Sequence, residues 1–314
     1  MSGEPEAVRV DGLSKRYRES FWRKAEFPAL RDINLSVEEG ALFGVVGPNG
    51  AGKTTLMRIL IGAVRASAGQ ARIFGHPAGS RAAASQIGYM PDALSLPGHL
   101  SAMQLLELHG ALLGLDSLYI RRRGRVLLEM TGMAEWCNLP AEKYSKGMRQ
   151  RASIAQAMLH EPRLLILDEP TDGLDPAARA MILDLLRKLN REGVTLFINS
   201  HQLDEIQSLC GRVAILDRGA IVAGPRMRDL ASDGFVLTLR GISDGLRDSL
   251  LGRATMEPNA DRAFVRLHFA IRSDVDWAID EVRRENRGSI ESLAPAVRPL
   301  LDVFLAASRG RETQ

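Results

Sequence analysis

A glycine-rich stretch near the amino terminus constrains the fold more than any other feature of this sequence. It matches the pattern G-x-x-x-x-G-K-[ST]. Its residues are Gly47, Pro48, Asn49, Gly50, Ala51, Gly52, Lys53, Thr54 and Thr55. The apolar run Leu42–Val46 before it is typical of a buried strand, and Leu56–Leu60 after it is typical of a helix. A pattern of this length in a strand-to-helix context favours a P-loop over a chance glycine-rich turn.

The chemistry of this loop predicts nucleotide binding. Glycines allow backbone N–H groups to turn inward, and the helix N-terminus adds partial positive charge, so the loop offers donors to β- and γ-phosphates. Lys53 adds a point charge, and the Thr54 hydroxyl adds a ligand for Mg²⁺.

Length and composition indicate a globular protein with ample core. The 314 residues suffice for one large domain and a small one, or for two ordinary domains. A net charge of +3 gives no case for nucleic acid. Cys137 and Cys210 lack metal-ligand spacing, and we find neither a signal peptide nor a run of about 18 apolar residues. If the protein serves a membrane, we therefore expect it to do so from outside the bilayer.

The P-loop motif and the hydrophobic periodicity together predict an α/β fold: a P-loop NTPase core with a parallel sheet, an antiparallel N-terminal β subdomain and an inserted helical subdomain. Two strands are predicted between Val8 and Val37. Helical spacing from Ser101, a candidate N-cap, to Met133 predicts the helical subdomain, at about residues 92–160. The core resumes with the buried strand Leu164–Asp168, and the alternation of strands and helices there indicates a parallel sheet.

The sequence past Pro225 carries no motif and predicts a small α+β domain. Its predicted strands and helices are Phe235–Leu239, Ala263–Phe269, Val275–Arg284 and Leu300–Ser308. We expect residues 8–231 to form the nucleotide-binding domain and residues 232–314 to form an accessory domain.

Two carboxylates end the buried strand Leu164–Asp168. Asp168 is suited to hold Mg²⁺ through its water shell, and Glu169 is suited to polarise the water that attacks the γ-phosphate. The alternative, a buried strand with acidic residues at its end, is disfavoured beside a P-loop.

The ordered motif set resembles the nucleotide-binding subunit of ATP-binding cassette (ABC) transporters over roughly residues 8–231. Its members are Lys53, Tyr144–Arg151, Asp168–Glu169, Gly173–Pro176 and Asn199–His201. The resemblance implies ATP and Mg²⁺ as cofactors. It also implies catalytic roles for Glu169, for His201 as the switch histidine that contacts the γ-phosphate, and for Lys53.

Tyr144–Met148 stands where the family has its L-S-G-G-Q signature and departs from it at three of five positions. Ser145 and Gly147 are kept, and the resemblance implies that they reach the γ-phosphate held by the opposite subunit. An ordinary helix N-cap would also explain Ser145. S-K-G-M-R-Q resembles the version found in the branch that exports drugs and polysaccharides.

Three further positions follow from the resemblance. Asp175 matches the loop that crosses the dimer interface. Tyr17 stands where the family places an aromatic ring on adenine, with a core tyrosine as the rival reading. Asp92 replaces the usual glutamine, whose role is to link magnesium to the membrane partner. Because an aspartate oxygen is a competent ligand, we expect the metal set Thr54, Asp92 and Asp168 and an active ATPase.

The sequence thus predicts an ATPase subunit of an ABC exporter at the cytoplasmic face of the inner membrane. Its expected partners are integral membrane permease subunits and a second nucleotide-binding subunit, in a homodimer or a heterodimer. Nucleic acid is not expected. Two alternatives remain open at this point: a soluble ABC ATPase acting on ribosomes or DNA, and an ABC importer ATPase.

Overall fold

The computed structural model describes residues 5–18, 26–92, 96–224, 231–256, 264–285 and 288–297. These residues form two compact units, 5–224 and 231–297. Each unit has its own buried apolar core. The helix predicted at Leu300–Ser308 lies outside the described residues. In the part of the chain that is described, none of the helices has the length and apolarity that crossing a bilayer requires.

The elements of each unit follow in chain order. The first unit contains β1 (Glu6–Arg18), β2 (Glu26–Glu38), β3 (Leu42–Val46), α1 (Lys53–Leu60), β4 (Ala68–Ile73), β5 (His76–Pro77), α2 (Arg81–Ala84), β6 (Ile87–Met90), α3 (Ala102–Leu112), α4 (Ser117–Met130), α5 (Lys146–Ala157), β7 (Leu164–Asp168), α6 (Pro176–Arg191), β8 (Thr195–Asn199), α7 (Leu203–Leu209), β9 (Arg212–Asp217) and β10 (Ala220–Ala223). The second contains β11 (Ala231–Arg240), α8 (Asp244–Leu251), β12 (Thr255–Met256), β13 (Phe264–Phe269), α9 (Arg272–Glu285) and β14 (Ser289–Val297).

A sheet in the order β10-β9-β3-β8-β7-β6 organises the first unit. The five strands from β9 to β6 run parallel, and β10 pairs antiparallel with β9. Every residue of β7 and β8 is buried, which explains their nearly continuous apolar sequences. The rings of Phe43 and Phe197 stack across β3 and β8 with centroids 5.5 Å apart.

A second sheet in the first unit, β2-β1-β4-β5, is antiparallel. In its longest pair, β1 and β2, Tyr17 lies directly opposite Phe27. With the parallel core and the inserted helices, this sheet completes the predicted α/β fold class, which is confirmed.

The predicted helical segment is divided into two helices, α3 and α4. Ser101 caps α3 as predicted: its hydroxyl accepts from the Gln104 N–H at 3.4 Å in a capping box. After α3 the chain turns at Gly114, where φ is 73°. Asp116 then caps α4, accepting from the N–H groups of Leu118 and Tyr119 at 2.9 and 3.0 Å.

The second unit has the order β-α-β-β-α-β and a sheet ordered β12-β13-β11-β14, which is the ferredoxin-like topology. All its pairings are antiparallel. Alternate residues of β11 and β13 face two helices, and they form a core with side chains of α8 and α9. The buried residues of this core are Leu237, Leu239, Leu246, Leu250, Leu267, Phe269, Val275, Ala278 and Val282.

Gly88 generates a prediction about how β6 meets α5. A Cβ atom at Gly88 would lie 2.3 Å from the Ala157 carbonyl oxygen and 2.6 Å from Leu165 Cδ2. Because the backbone of α5 must then move, we expect Gly88→Ala to lower the free energy of unfolding by about 1–3 kcal/mol. Urea denaturation measures this. The matched control is Gly211→Ala, since nothing lies within 4 Å of its Cβ position. Equal stability of the two variants would contradict the close contact between β6 and α5 at Gly88.

Candidate nucleotide-binding site

The P-loop connects β3 to α1, and two of its glycines are held against neighbouring backbone. Gly47 has φ of 153°, and a Cβ atom there would lie 2.1 Å from the Leu216 carbonyl oxygen. Gly52 has φ of 106°, and a Cβ atom there would lie 2.5 Å from the Ala29 carbonyl oxygen. Both positions therefore require glycine, and the loop is fixed between β2 and β9.

Lys53 begins α1, and its ammonium group folds back over the loop. Nζ donates to the carbonyl oxygens of Gly47 at 2.7 Å and Pro48 at 3.1 Å. Burial lowers the pKa of Lys53, and the nearby carboxylates of Glu169 and Asp168 act in the opposite direction. Lys53 thus places one cation beside the two carboxylates.

The P-loop, the ends of β7 and β8, and two aromatic side chains enclose a cavity of about 310 Å³. Gly52 caps α1 without a side-chain hydrogen bond, so the helix N-terminus keeps its backbone donors for a ligand. The residues that line the cavity are Tyr17, Phe27, Ala29, Asn49, Gly50, Ala51, Gly52, Lys53, Thr54, Thr55, Asp92, Asp168, Glu169 and Asn199.

Asp168 ends β7 and is 3% exposed. Its Oδ1 accepts a hydrogen bond from Asn199 Nδ2 at 2.5 Å. Burial raises the pKa of Asp168, the Asn199 bond lowers it, and the negative charge of Asp92 raises it. The two aspartates are therefore close enough to interact, although Asp92 itself is exposed.

Glu169 follows β7 in a left-handed backbone conformation with φ of 50°. Its Oε2 faces His201, lying 2.8 Å from Nδ1, and it also accepts the His201 backbone N–H at 3.3 Å. Burial raises the pKa of the Glu169 carboxyl, and the His201 contacts oppose that shift. Carboxylate and imidazole form a hydrogen-bonded pair at the edge of the cavity.

The oxygen donors at this site fit Mg²⁺ as a partly hydrated ion. Thr54, Asp92 and Asp168 line one cavity and present only hydroxyl and carboxylate oxygens, which are the ligands that Mg²⁺ prefers. Among the described residues, no cluster of three or more His, Cys, Asp or Glu side chains could hold a metal by itself. The donor set therefore suits an ion that shares its coordination with phosphate oxygens and water.

The predicted residues Ser145, Gly147 and Asp175 do not line this cavity. Ser145 caps α5, accepting from the Met148 N–H at 3.2 Å, and Asp175 caps α6 through the N–H groups of residues 177 and 178 at 3.0 and 2.9 Å. Gly147 is buried, with its Cβ position 3.4 Å from Ala178 Cβ. Within one chain these residues serve as caps and packing positions.

The aromatic side of the cavity contains a residue that sequence reasoning missed. Tyr17 lines the cavity as predicted, with Lys15 Nζ 5.0 Å from the centroid of its ring. Phe27, paired with Tyr17 across β1 and β2, also lines it and is 62% exposed. Exposed aromatics that face a cavity are suited to stack on a base. The signal that could have found Phe27 is the strand register, which sequence alone did not give.

Comparison with known proteins relates this chain to ATP-binding proteins of ABC transporters. The family model described as "ABC transporter" matches residues 30–172. The doxorubicin resistance ATP-binding protein DrrA of Mycobacterium tuberculosis is 34% identical, over 98% of this chain and 95% of its own length. The Nod factor export ATP-binding protein I of Cupriavidus pinatubonensis is 35% identical, over 74% of this chain and 72% of its own.

A solved ATP-binding subunit of an ABC transporter has a similar fold. It shares 28% identity with a TM-score of 0.63, and the match covers 71% of this chain and 91% of that one.

Phe27 generates a prediction that separates base binding from phosphate binding. We expect Phe27→Ala to weaken binding of Mg-ATP by at least about fivefold, since one base–aromatic contact contributes about 1–3 kcal/mol. Binding of Mg-tripolyphosphate, which has no base, should stay unchanged. Isothermal titration calorimetry measures both ligands. Equal losses for the two ligands would mean that Phe27 acts on the P-loop rather than on the base.

Proposed function

We propose that this chain, which belongs to the ATP-binding subunits of ABC transporters, drives export by closing on ATP together with a second nucleotide-binding subunit. The observation that carries the proposal is the meeting of the P-loop, the Asp168–Glu169 pair and His201 at one edge of the parallel sheet.

The family gives the activity. ATP-binding subunits of ABC transporters are ATPases that work as dimers with membrane subunits, and this chain is such an ATP-binding and ATP-hydrolysing subunit. The residues that perform each step in this chain are our assignment, supported by the geometry of the site.

In this assignment the P-loop backbone and Lys53 bind the β- and γ-phosphates. Thr54 and Asp168, with Asp92, would hold Mg²⁺, which would supply positive charge to stabilise the phosphates. Glu169 takes up the proton of the attacking water, and His201 orients Glu169 through its Nδ1 contact. Tyr17, joined by Phe27, stacks on adenine.

Ser145, Gly147 and Asp175 act across the dimer in the same assignment. They lie outside the cavity of their own chain. Ser145 and Gly147 stand at the N-terminus of α5, where backbone donors and partial positive charge favour an anion, whereas the Asp175 carboxylate already caps α6. We assign Ser145 and Gly147 to the γ-phosphate of the opposite subunit and Asp175 to the interface between subunits.

Export is favoured over import by two observations. One relative, whose similarity to this chain extends over nearly its whole length, is a doxorubicin resistance protein, and another is a Nod factor export protein. The S-K-G-M-R-Q form of the signature agrees with that branch. We place the chain peripherally at the cytoplasmic face of the membrane, with integral membrane permease subunits as partners. Residues 8–231 are proposed as the ATPase domain and residues 232–314 as an accessory domain; a ribosome- or DNA-directed ATPase is not favoured.

Glu169 generates the test of this function. Because the attacking water must give up a proton to a base, we expect Glu169→Gln to lower the rate of ATP hydrolysis at least about 100-fold. ATP binding should persist, so the variant should accumulate as an ATP-stabilised dimer. Phosphate release and size-exclusion chromatography with light scattering measure the two effects. The control variant Glu192→Gln, at an exposed side chain, should match the wild type in both measurements. A Glu169→Gln variant that stays monomeric and hydrolyses ATP normally would contradict the proposed function.

Asp92 generates a separate test of the magnesium site. Chelating Mg²⁺ with EDTA should abolish hydrolysis. Removing one charged oxygen with Asp92→Asn should raise the Mg²⁺ concentration that gives half-maximal hydrolysis about tenfold. The control is Asp184→Asn, at a side chain that is 75% exposed and paired with Arg187. If hydrolysis by Asp92→Asn depends on the Mg²⁺ concentration in the same way as in the wild type, Asp92 is not a ligand of the metal.

A further inference from the structure

A series of three contacts joins the start of α5 to the carboxylate of Glu169. Lys146 Nζ lies 2.8 Å from Asp172 Oδ2. Asp172 Oδ1 lies 3.8 Å from His201 Nε2, and His201 Nδ1 lies 2.8 Å from Glu169 Oε2. The imidazole is therefore flanked by a carboxylate on each ring nitrogen, and the second carboxylate is held by a lysine of the signature segment.

The position of Lys146 is set by packing as well as by charge. Its side chain crosses the backbone at Gly173: a Cβ atom there would lie 2.4 Å from Nζ and 3.3 Å from Cε. Gly173 has φ of 64°, so the segment gives the lysine room in a conformation that glycine favours. One turn further along α5, Gln150 Nε2 donates to the Asp172 carbonyl oxygen at 3.4 Å. Helix α5 thus holds Asp172 at both its side chain and its backbone.

Asp172 is suited to act on His201. The hydrogen bond from Lys146 holds the pKa of the Asp172 carboxyl below its usual range, and the charges of Lys146 and His201 add to this. The carboxylate faces Nε2, the ring nitrogen that Glu169 does not use. At 3.8 Å the contact is electrostatic and not a hydrogen bond, and the negative charge of Asp172 attracts the Nε2 edge of the ring, which favours the orientation in which Nδ1 meets Glu169.

We propose that Lys146 and Asp172 are positioning residues through which α5 sets His201 and Glu169 at the nucleotide of its own chain. The inference rests on the proposed function, in which the N-terminus of α5 contacts the nucleotide of the opposite chain. A shift of α5 at that nucleotide moves Lys146, and with it Asp172. Each chain then couples the two ATP sites of the dimer. The L-S-G-G-Q form of the signature has glycine where Lys146 stands, so this link depends on the S-K-G-M-R-Q form that this chain carries.

The test uses mixed dimers of the full-length chain, purified through two different tags, in which one chain carries Glu169→Gln. Only the other chain can then hydrolyse its own nucleotide. In the first arrangement, Lys146→Ala is placed on the chain with the intact Glu169. In the second, it is placed on the chain with Glu169→Gln. The reference is the mixed dimer without Lys146→Ala.

We expect the first arrangement to lose about three- to fivefold in hydrolysis and the second to match the reference. This loss is what a half-exposed ion pair supports, since Lys146 and Asp172 are 50% and 39% exposed. Lys146→Arg on the same chain should restore the rate, and the exposed control Lys143→Ala should not change it. Loss confined to the second arrangement, equal loss in both, or no loss in either would overturn the proposal.

A second measurement needs no hydrolysis. Without nucleotide, amide hydrogen exchange at residues 170–174 should be faster in Lys146→Ala than in the wild type and normal in Lys146→Arg. Unchanged exchange would overturn the proposal by itself. A wild-type chain that neither dimerises nor hydrolyses ATP would remove the proposed function and this inference together. Normal hydrolysis without the loss in the first arrangement would remove only this inference.

Discussion

The parallel pairing of buried strands is the constraint on which the rest of the site depends. Val45 of β3 pairs with Asn199 of β8, and Asn199 pairs in turn with Asp168 of β7. Because parallel strands end at the same edge, this register brings the P-loop, the two carboxylates and the His201 segment to one place. The pairing is held by burial on both faces, since every residue of β7 and β8 is shielded from water.

The same burial determines the electrostatics at that edge. Removing water raises the pKa values of Asp168 and Glu169 and lowers that of Lys53. Each charge is supported by a partner that opposes the shift: Asn199 for Asp168, His201 for Glu169, and both carboxylates for Lys53. A buried charge without such a partner would be strongly destabilising. The site therefore combines low hydration with a closed set of contacts, which is the environment in which fixed charges act most strongly on phosphates.

The helix caps show why one chain makes only part of the proposed site. Ser145 and Asp175 satisfy the first turns of α5 and α6, so their local role is complete without a ligand. The neutral hydroxyl of Ser145 leaves the N-terminus of α5 able to receive an anion from another chain, whereas the Asp175 carboxylate already occupies the N-terminus of α6. Lys146, next to Ser145, points the other way along the fold, toward Asp172 of its own chain. In the proposed dimer, Ser145 would thus contact the nucleotide of the opposite chain, while Lys146 contacts the segment after β7 in its own chain.

Local rules were enough to predict several features from the sequence by itself. The glycines of the P-loop, the buried strand before Asp168 and the N-cap at Ser101 each depend on a few adjacent residues, whose backbone and hydrogen-bonding requirements are visible in the sequence. The α/β class followed from the alternation of such elements, and the ordered motifs carried the family resemblance.

Only the tertiary structure decided which distant residues meet. Phe27 entered the cavity through the register of β1 and β2, and Asp172 came to His201 and Lys146 through the packing of α5 on the segment after β7. The ferredoxin-like strand order of the second unit likewise joins segments far apart in sequence. Such contacts depend on how whole elements pack in a shared core, and a one-residue change of register would move each side chain to the other face. That dependence on the complete core is why the pattern of residues could not reveal them.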